Sequence, residues 1–128
     1  MGQDYRRTRH SLNLINYHFV WIPKRRRPVL RGEIARRLRE ITYEVLKEHD
    51  CSILALEVMP DHVYLFVNAH PDLAPNQIVR YVKGRSARML RQEFPKLCKL
   101  PSLWTRSYFV STAGNVSSQT IQRYIENQ

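Results

Sequence analysis

Hydrophobic positions follow two periods along the chain, and the switches between them mark its elements. Leu12 to Ile22 alternates, with Ile15, Tyr17, Phe19 and Trp21 on one side and Asn16, His18 and Val20 on the other. That period of two predicts a strand. Pro23 ends it, and Lys24-Arg25-Arg26-Arg27-Pro28 reads as a loop. From Glu33 to His49 the spacing becomes helical: Ile34, Leu38, Ile41, Val45 and Leu46 form one stripe, while Arg36, Arg37, Arg39, Glu40, Glu44 and Lys47 face away. Glu40 and Glu44 can pair with neighbouring bases on that solvated side. Cys51 to Met59 alternates again, Leu54, Leu56 and Val58 opposing Ile53, Ala55 and Glu57. Pro60-Asp61 is a tight turn, and His62 to Asn68 is a third strand, with Val63, Leu65 and Val67 opposing His62, Tyr64 and Phe66. So short a link predicts a hairpin.

After a turn at Pro71 to Pro75, a second helix spans about Asn76 to Phe94. Ile78, Val82 and Met89 make its apolar stripe, flanked by Val79 and Leu90, with Arg80, Lys83, Arg88 and Arg91 on the other side. Gly84 costs this helix roughly 1 kcal/mol relative to alanine, which leaves close packing there as one reading. Pro95 ends the helix, and Ser102 to Thr112 reads as a fourth strand. Ala113-Gly114-Asn115 breaks that strand, and Ser117 is a good N-cap for a last helix running to Gln128.

This order is that of a ferredoxin-like, RRM-like α+β fold: a four-stranded antiparallel sheet, helices on one face and an extra C-terminal helix. We expect one domain over residues 1–128, with 115–128 forming the C-terminal helix. The alternation sends Leu54, Leu56, Val58, Val63, Leu65 and Val67 under the helices. It leaves Glu57, His62 and Tyr64 on an open face, with His18 as a neighbour.

A chain of 128 residues, 43% hydrophobic and 25% charged, suits one soluble domain with a modest core. No apolar run reaches membrane-spanning length, and Met1 to His10 carries three arginines without the apolar stretch of a signal peptide. A cytoplasmic location without a membrane partner is therefore expected. Cys51 and Cys98 form no CxxC pattern, which argues for reduced thiols over a disulfide framework or a cysteine zinc site.

Charge changes the picture more. There are 21 Lys and Arg against 11 Asp and Glu, a net charge of +10. So basic a small domain carries the electrostatic footprint of a nucleic-acid binder. Lys24, Arg25, Arg26 and Arg27 in the loop, followed by Arg31, and Arg80, Lys83, Arg88 and Arg91 on the second helix are suited to phosphates without base specificity. Tyr17, Trp21, Trp104 and Tyr108 suit either stacking on unpaired bases or, more ordinarily, core packing.

Two clusters carry candidate chemistry. Glu57 and His62 sit on adjacent antiparallel strands and are the best candidate ligands for a divalent ion, with His18 as a further ligand or an orienting group. Mg2+ or Mn2+ favours oxygen donors and retained waters and suits phosphoryl transfer. On the last helix, Ile121, Tyr124, Ile125 and Gln128 share a face, so Tyr124 and Gln128 project together. A phenolate attacking a phosphodiester forms a phosphotyrosine and conserves bond energy for rejoining. Its reference pKa of about 10 calls for a metal or nearby cations. The competing reading is an amphipathic helix whose Tyr124 is an ordinary interface aromatic.

The segments NYHFVWIPKRRRPVL, LEVMPDHVYLFV, VKGRSARML, LWTRSYFVSTAGNVSS and IQRYIENQ resemble, in order and over nearly the whole chain, the TnpA-type single-tyrosine transposases of the insertion-sequence-200/605 family, within the HUH nuclease superfamily. The resemblance implies a small homodimer that cuts and rejoins single-stranded DNA at hairpin-bearing element ends, using Mg2+ or Mn2+ and a transient 5′-phosphotyrosine. It makes Tyr124 the nucleophile, His62 the first histidine of the HUH pair and Gln128 the polar residue that completes the metal site. Glu57, Asp61 and His18 lie in the matching surroundings. It further implies that the tyrosine helix often docks on the other subunit, for which a Gly114-Asn115 hinge is compatible.

One position departs: Tyr64 stands where the family has its second histidine. Three readings follow. Glu57, His62 and Gln128 hold the ion with extra waters; metal affinity is reduced; or the chain is a hairpin-DNA-binding relative that does not cut. A rival from another class is a non-catalytic RRM-like nucleic-acid-binding module, against which the lack of an aromatic, glycine-rich strand motif counts.

Overall fold

The computed structural model describes residues 14–128, so Leu12 and Asn13 of the first predicted strand, and the segment Met1 to His10, lie outside the described residues. Four strands, β1 (Ile15–Trp21), β2 (Ser52–Met59), β3 (His62–Ala69) and β4 (Phe109–Ser111), form one antiparallel sheet in the order β2-β3-β1-β4. The helices are α1 (Gly32–Glu48), α2 (Pro75–Glu93) and α3 (Ser118–Glu126). This is the expected split α+β arrangement. Phe19, Trp21, Val63, Leu65 and Val67 from the sheet meet Leu38, Ile41, Val45, Ile78, Val82 and Leu90 from α1 and α2 in the main core. Each such side chain contributes roughly 1.5–3 kcal/mol on burial.

Four expectations are corrected. A β-bulge lies between Ile53 and Ala55 on β2. The extra residue reverses the alternation on one side of it, so Ile53 packs on the core while Leu54, expected under the helices, is 51% exposed. Gly84 makes no close contact: a Cβ placed there meets nothing within 4 Å.

The fourth strand is also far shorter than predicted, three residues in place of Ser102 to Thr112. Leu103 and Trp104 leave the sheet and plug the core, where Trp104 Nε1 donates to Ser86 Oγ at 3.0 Å. The carbonyls of Thr105, Arg106 and Ser107 all accept from Lys83 Nζ, at 2.7, 3.4 and 3.2 Å. The ammonium of α2 thus takes the role a neighbouring strand would have. Burial pushes Lys83 down to about 8, while the three carbonyls favour its charged form. Lys83→Met should therefore strip these carbonyls of their donor and cost about 1–3 kcal/mol, read by chemical denaturation.

The last correction concerns the face opposite α1 and α2, which is not wholly open. Val20 and Ile22 are buried there beneath Ile125 of α3. β1 is therefore covered on both sides, with every residue from Tyr17 to Trp21 buried.

Candidate functional site

Ser117 caps α3 as predicted, its Oγ accepting from the Thr120 amide at 3.1 Å. Ile121, Tyr124 and Ile125 then face the sheet, since positions three and four apart share one side of a helix. Ile125 is almost fully buried, and Tyr64, Phe109, Ile121 and Tyr124 are partly buried around it. This small apolar seam seats α3 on the sheet surface that also carries His62 and Glu57.

Tyr124 is half-buried, its ring centroid 6.0 Å from that of Phe109. Its hydroxyl lies 3.0 Å from Ser107 Oγ. Ser107 in turn donates to Gln128 Oε1, and Gln128 Nε2 donates to the Tyr124 carbonyl at 3.1 Å. With its only proton given to Gln128, Ser107 must accept from the phenol. Burial raises the Tyr124 phenol, and the Ser107 hydrogen bond lowers it by less. Ser107 was not legible beforehand, for a serine in an irregular segment carries no periodic signal.

On the neighbouring strands, His62 lies opposite Met59, and Glu57 directly opposite Tyr64. Glu57 and His62 are thus diagonal neighbours, with backbones about 7–8 Å apart. His62 Nδ1 lies 2.9 Å from Asp61 Oδ1, and Arg26 Nε donates to the other carboxylate oxygen at 3.1 Å. Burial tends to raise the Asp61 carboxyl, but the hydrogen bonds and charges of His62 and Arg26 outweigh it and hold the group below its usual range. An ionised Asp61 accepts the Nδ1 proton, which leaves the Nε2 lone pair of a neutral His62 for a ligand. The loop that supplies Arg26 is strained: Arg25 and Arg26 have φ of 59° and 54°. That left-handed backbone costs roughly 1–2 kcal/mol per residue.

His18 is buried, stacked on Phe66 at 4.1 Å between centroids. Its Nε2 donates to the Ala113 carbonyl at 2.9 Å. Its Nδ1 must then accept from the Tyr64 hydroxyl, 2.7 Å away. Both nitrogens are engaged, so His18 anchors Tyr64 and the start of the connection to α3 and offers no lone pair to an ion. Burial and the Glu57 charge raise the Tyr64 phenol, which stays neutral and is a poor donor to a hard cation.

The predicted residues thus fall into two groups on one face, Glu57-Asp61-His62 and Tyr124-Gln128, with the Tyr64 ring packed against the seam that seats Tyr124. Among the described residues, no group of three or more His, Cys, Asp or Glu side chains is arranged to hold a metal ion. The donor set fits a largely hydrated ion: one free imidazole nitrogen and one carboxylate, the remaining positions being water. The predicted phosphate contacts divide as well. Arg25, Arg27, Arg80 and Arg88 are exposed, and Lys24 is partly so. Arg26 is tied to Asp61, Lys83 to the three carbonyls, and Arg91 donates to the Leu100 carbonyl at 3.1 Å.

Comparison with known proteins identifies the family. The sequence pattern of the family described as "Transposase IS200 like" matches residues 11–128. The ISDra2 transposase TnpA of Deinococcus radiodurans is 36% identical over 117 residues, covering 89% of this chain and 84% of that protein. The IS200 transposase of Salmonella typhimurium is 30% identical over 128 residues, covering 98% and 84%. A transposase crystal structure from Deinococcus radiodurans superposes with a TM-score of 0.86 at 38% identity, over 94% of this chain and 95% of that one. A REP-associated tyrosine transposase bound to a REP hairpin shares the fold, with a TM-score of 0.59 at 17% identity over 88% and 62%. The RRM-like reading rested on the fold alone, and the family match, which spans both the histidine strand and the tyrosine helix, sets it aside: this chain belongs to the IS200-like transposase family.

Proposed function

We propose that this transposase cuts and rejoins single-stranded DNA at hairpin-bearing element ends with Tyr124 as the nucleophile. The observation that carries the reading is the seating of α3, which brings the Tyr124 phenol onto the same sheet surface as His62 and Glu57. The Tyr124 oxygen attacks the scissile phosphorus. A tyrosine–phosphorus bond forms as the bond to the 3′-oxygen breaks; that oxygen leaves with a proton, and the 5′-phosphate stays on the enzyme. Rejoining reverses the step with an incoming 3′-hydroxyl.

Ser107 accepts the phenol's hydrogen bond and Gln128 fixes Ser107, so the pair orients the nucleophile. Mg2+ or Mn2+, when bound, stabilises charge on the phosphate oxygens. His62 Nε2 and Glu57 would hold the ion, and Asp61 fixes the His62 ring. Arg25, Arg27, Arg80 and Arg88 supply the field for the folded strand. A homodimer is part of the reading, with the 112–117 connection able to carry α3 to its own sheet or to a partner's. So is action in the cytoplasm; no described helix is long and apolar enough to cross a membrane.

The test is incubation with single-stranded element ends and Mn2+, followed by denaturing electrophoresis. A covalent protein–DNA adduct is expected, and its absence at saturating Mn2+ would sink the cutting reading. Asp61→Asn should weaken Mn2+ binding about 10–100-fold, measured by calorimetry. A second reading is favoured by one observation: the Tyr64–His18 hydrogen bond occupies the place of a second ligating imidazole. On that reading the chain binds hairpins without cutting.

A further inference from the structure

A groove of about 640 Å³ runs between α2 and the 101–108 segment, and neither Tyr124, His62 nor Glu57 lines it. Its size is that of a small-ligand site, in the range of roughly 300–1,000 Å³. Every charged residue among its described lining is cationic, including Arg80, Arg91 and Arg106. Gly84 forms part of one wall, and Trp104 and Tyr108 are on the lining too. The glycine weakens α2 by about 1 kcal/mol, yet no described side chain uses the room it leaves.

We propose that this groove receives one unpaired nucleotide of the DNA strand. The base lies over Gly84 beside Tyr108, and the flanking phosphates meet the exposed Arg80 and Arg106. Aromatic walls stack on any base, and guanidinium groups hold phosphate through paired hydrogen bonds. The proposal rests on the DNA-substrate reading above but not on its chemistry.

The test separates the two. Binding is measured by fluorescence anisotropy with chelator present, in full-length Tyr124→Phe protein, using a single-stranded oligothymidylate, an abasic strand of equal length and a paired duplex. Gly84→Leu fills the groove with a better helix former. Its melting temperature should rise, while oligothymidylate affinity falls about ten-fold. Gly84→Ala should also raise the melting temperature and lose less affinity. Arg106→Ala should lower the salt slope of binding by about 0.7. The groove assignment is overturned if Gly84→Leu binds oligothymidylate as tightly as its parent, if the abasic strand binds the parent equally well, or if the duplex loses affinity by the same factor. A groove effect without any adduct in the Mn2+ assay would sink the Tyr124 chemistry alone. An adduct with an indifferent Gly84→Leu would sink the groove alone.

Discussion

Tyr124→Phe should abolish the covalent DNA adduct while leaving the protein folded. The ring keeps its packing against Phe109 and the Val20–Ile125 seam. Among the described residues, the bond lost is that to Ser107, worth about 0.5–1.5 kcal/mol. Loss of a nucleophile is a different order of effect, around 10⁶-fold for a serine hydrolase, so adduct should fall below detection. A variant that still forms the same adduct would show that another group attacks.

The pH dependence follows from the same phenol. Burial, only partly offset by Ser107, raises its pKa above the ordinary value. The ionised fraction is therefore small near neutrality. Adduct formation by the parent enzyme should climb with pH and keep climbing past about pH 10, the reference value. For stability the sign is opposite. The folded state holds this proton more tightly than the unfolded chain, so its contribution is complete below about pH 10 and is lost as pH rises further. A rate plateau near pH 7 would mean that the attacking group is not this phenol as seated here.

The second large effect is expected at Tyr64. Tyr64→His would replace a neutral phenol, committed to His18, with an imidazole next to Glu57 and one alternate position from His62. Mn2+ affinity should rise by at least the ~10–100-fold that outer-shell partners are worth, and adduct yield at low Mn2+ should rise with it. Calorimetry and a Mn2+ titration of adduct formation read the two separately. A gain in affinity with no adduct at any Mn2+ concentration would favour the hairpin-binding reading. No change in either would show that the ion does not bind on this surface. The substitution also removes the hydroxyl that His18 accepts. The His18–Ala113 bond remains to hold the start of the connection to α3.

Periodicity alone determined the element order, the strand parity of β3 and the shared face of Ile121, Tyr124 and Ile125. These depend on local spacing, and a buried stripe imposes that spacing wherever it lies. It likewise placed Glu57, His62 and Tyr64 on one surface, because antiparallel neighbours must match parity. Two local readings failed for non-local reasons. Leu54 is exposed because a bulge breaks the count, and residues 102–108 leave the sheet because Lys83, some twenty positions earlier, binds their carbonyls.

The site divides in the same way. Residue types and spacing pointed to His62 and Glu57 and put Tyr124 and Gln128 on one helix face, and the family resemblance gave the last two their roles. Only the folded chain decided their partners: Asp61 on His62 with Arg26 on Asp61, Ser107 between Tyr124 and Gln128, and Tyr64 held by His18. A hydrogen bond between residues 46 positions apart leaves no trace in the pattern of apolar and polar positions. It exists because sheet register and helix docking bring the two together.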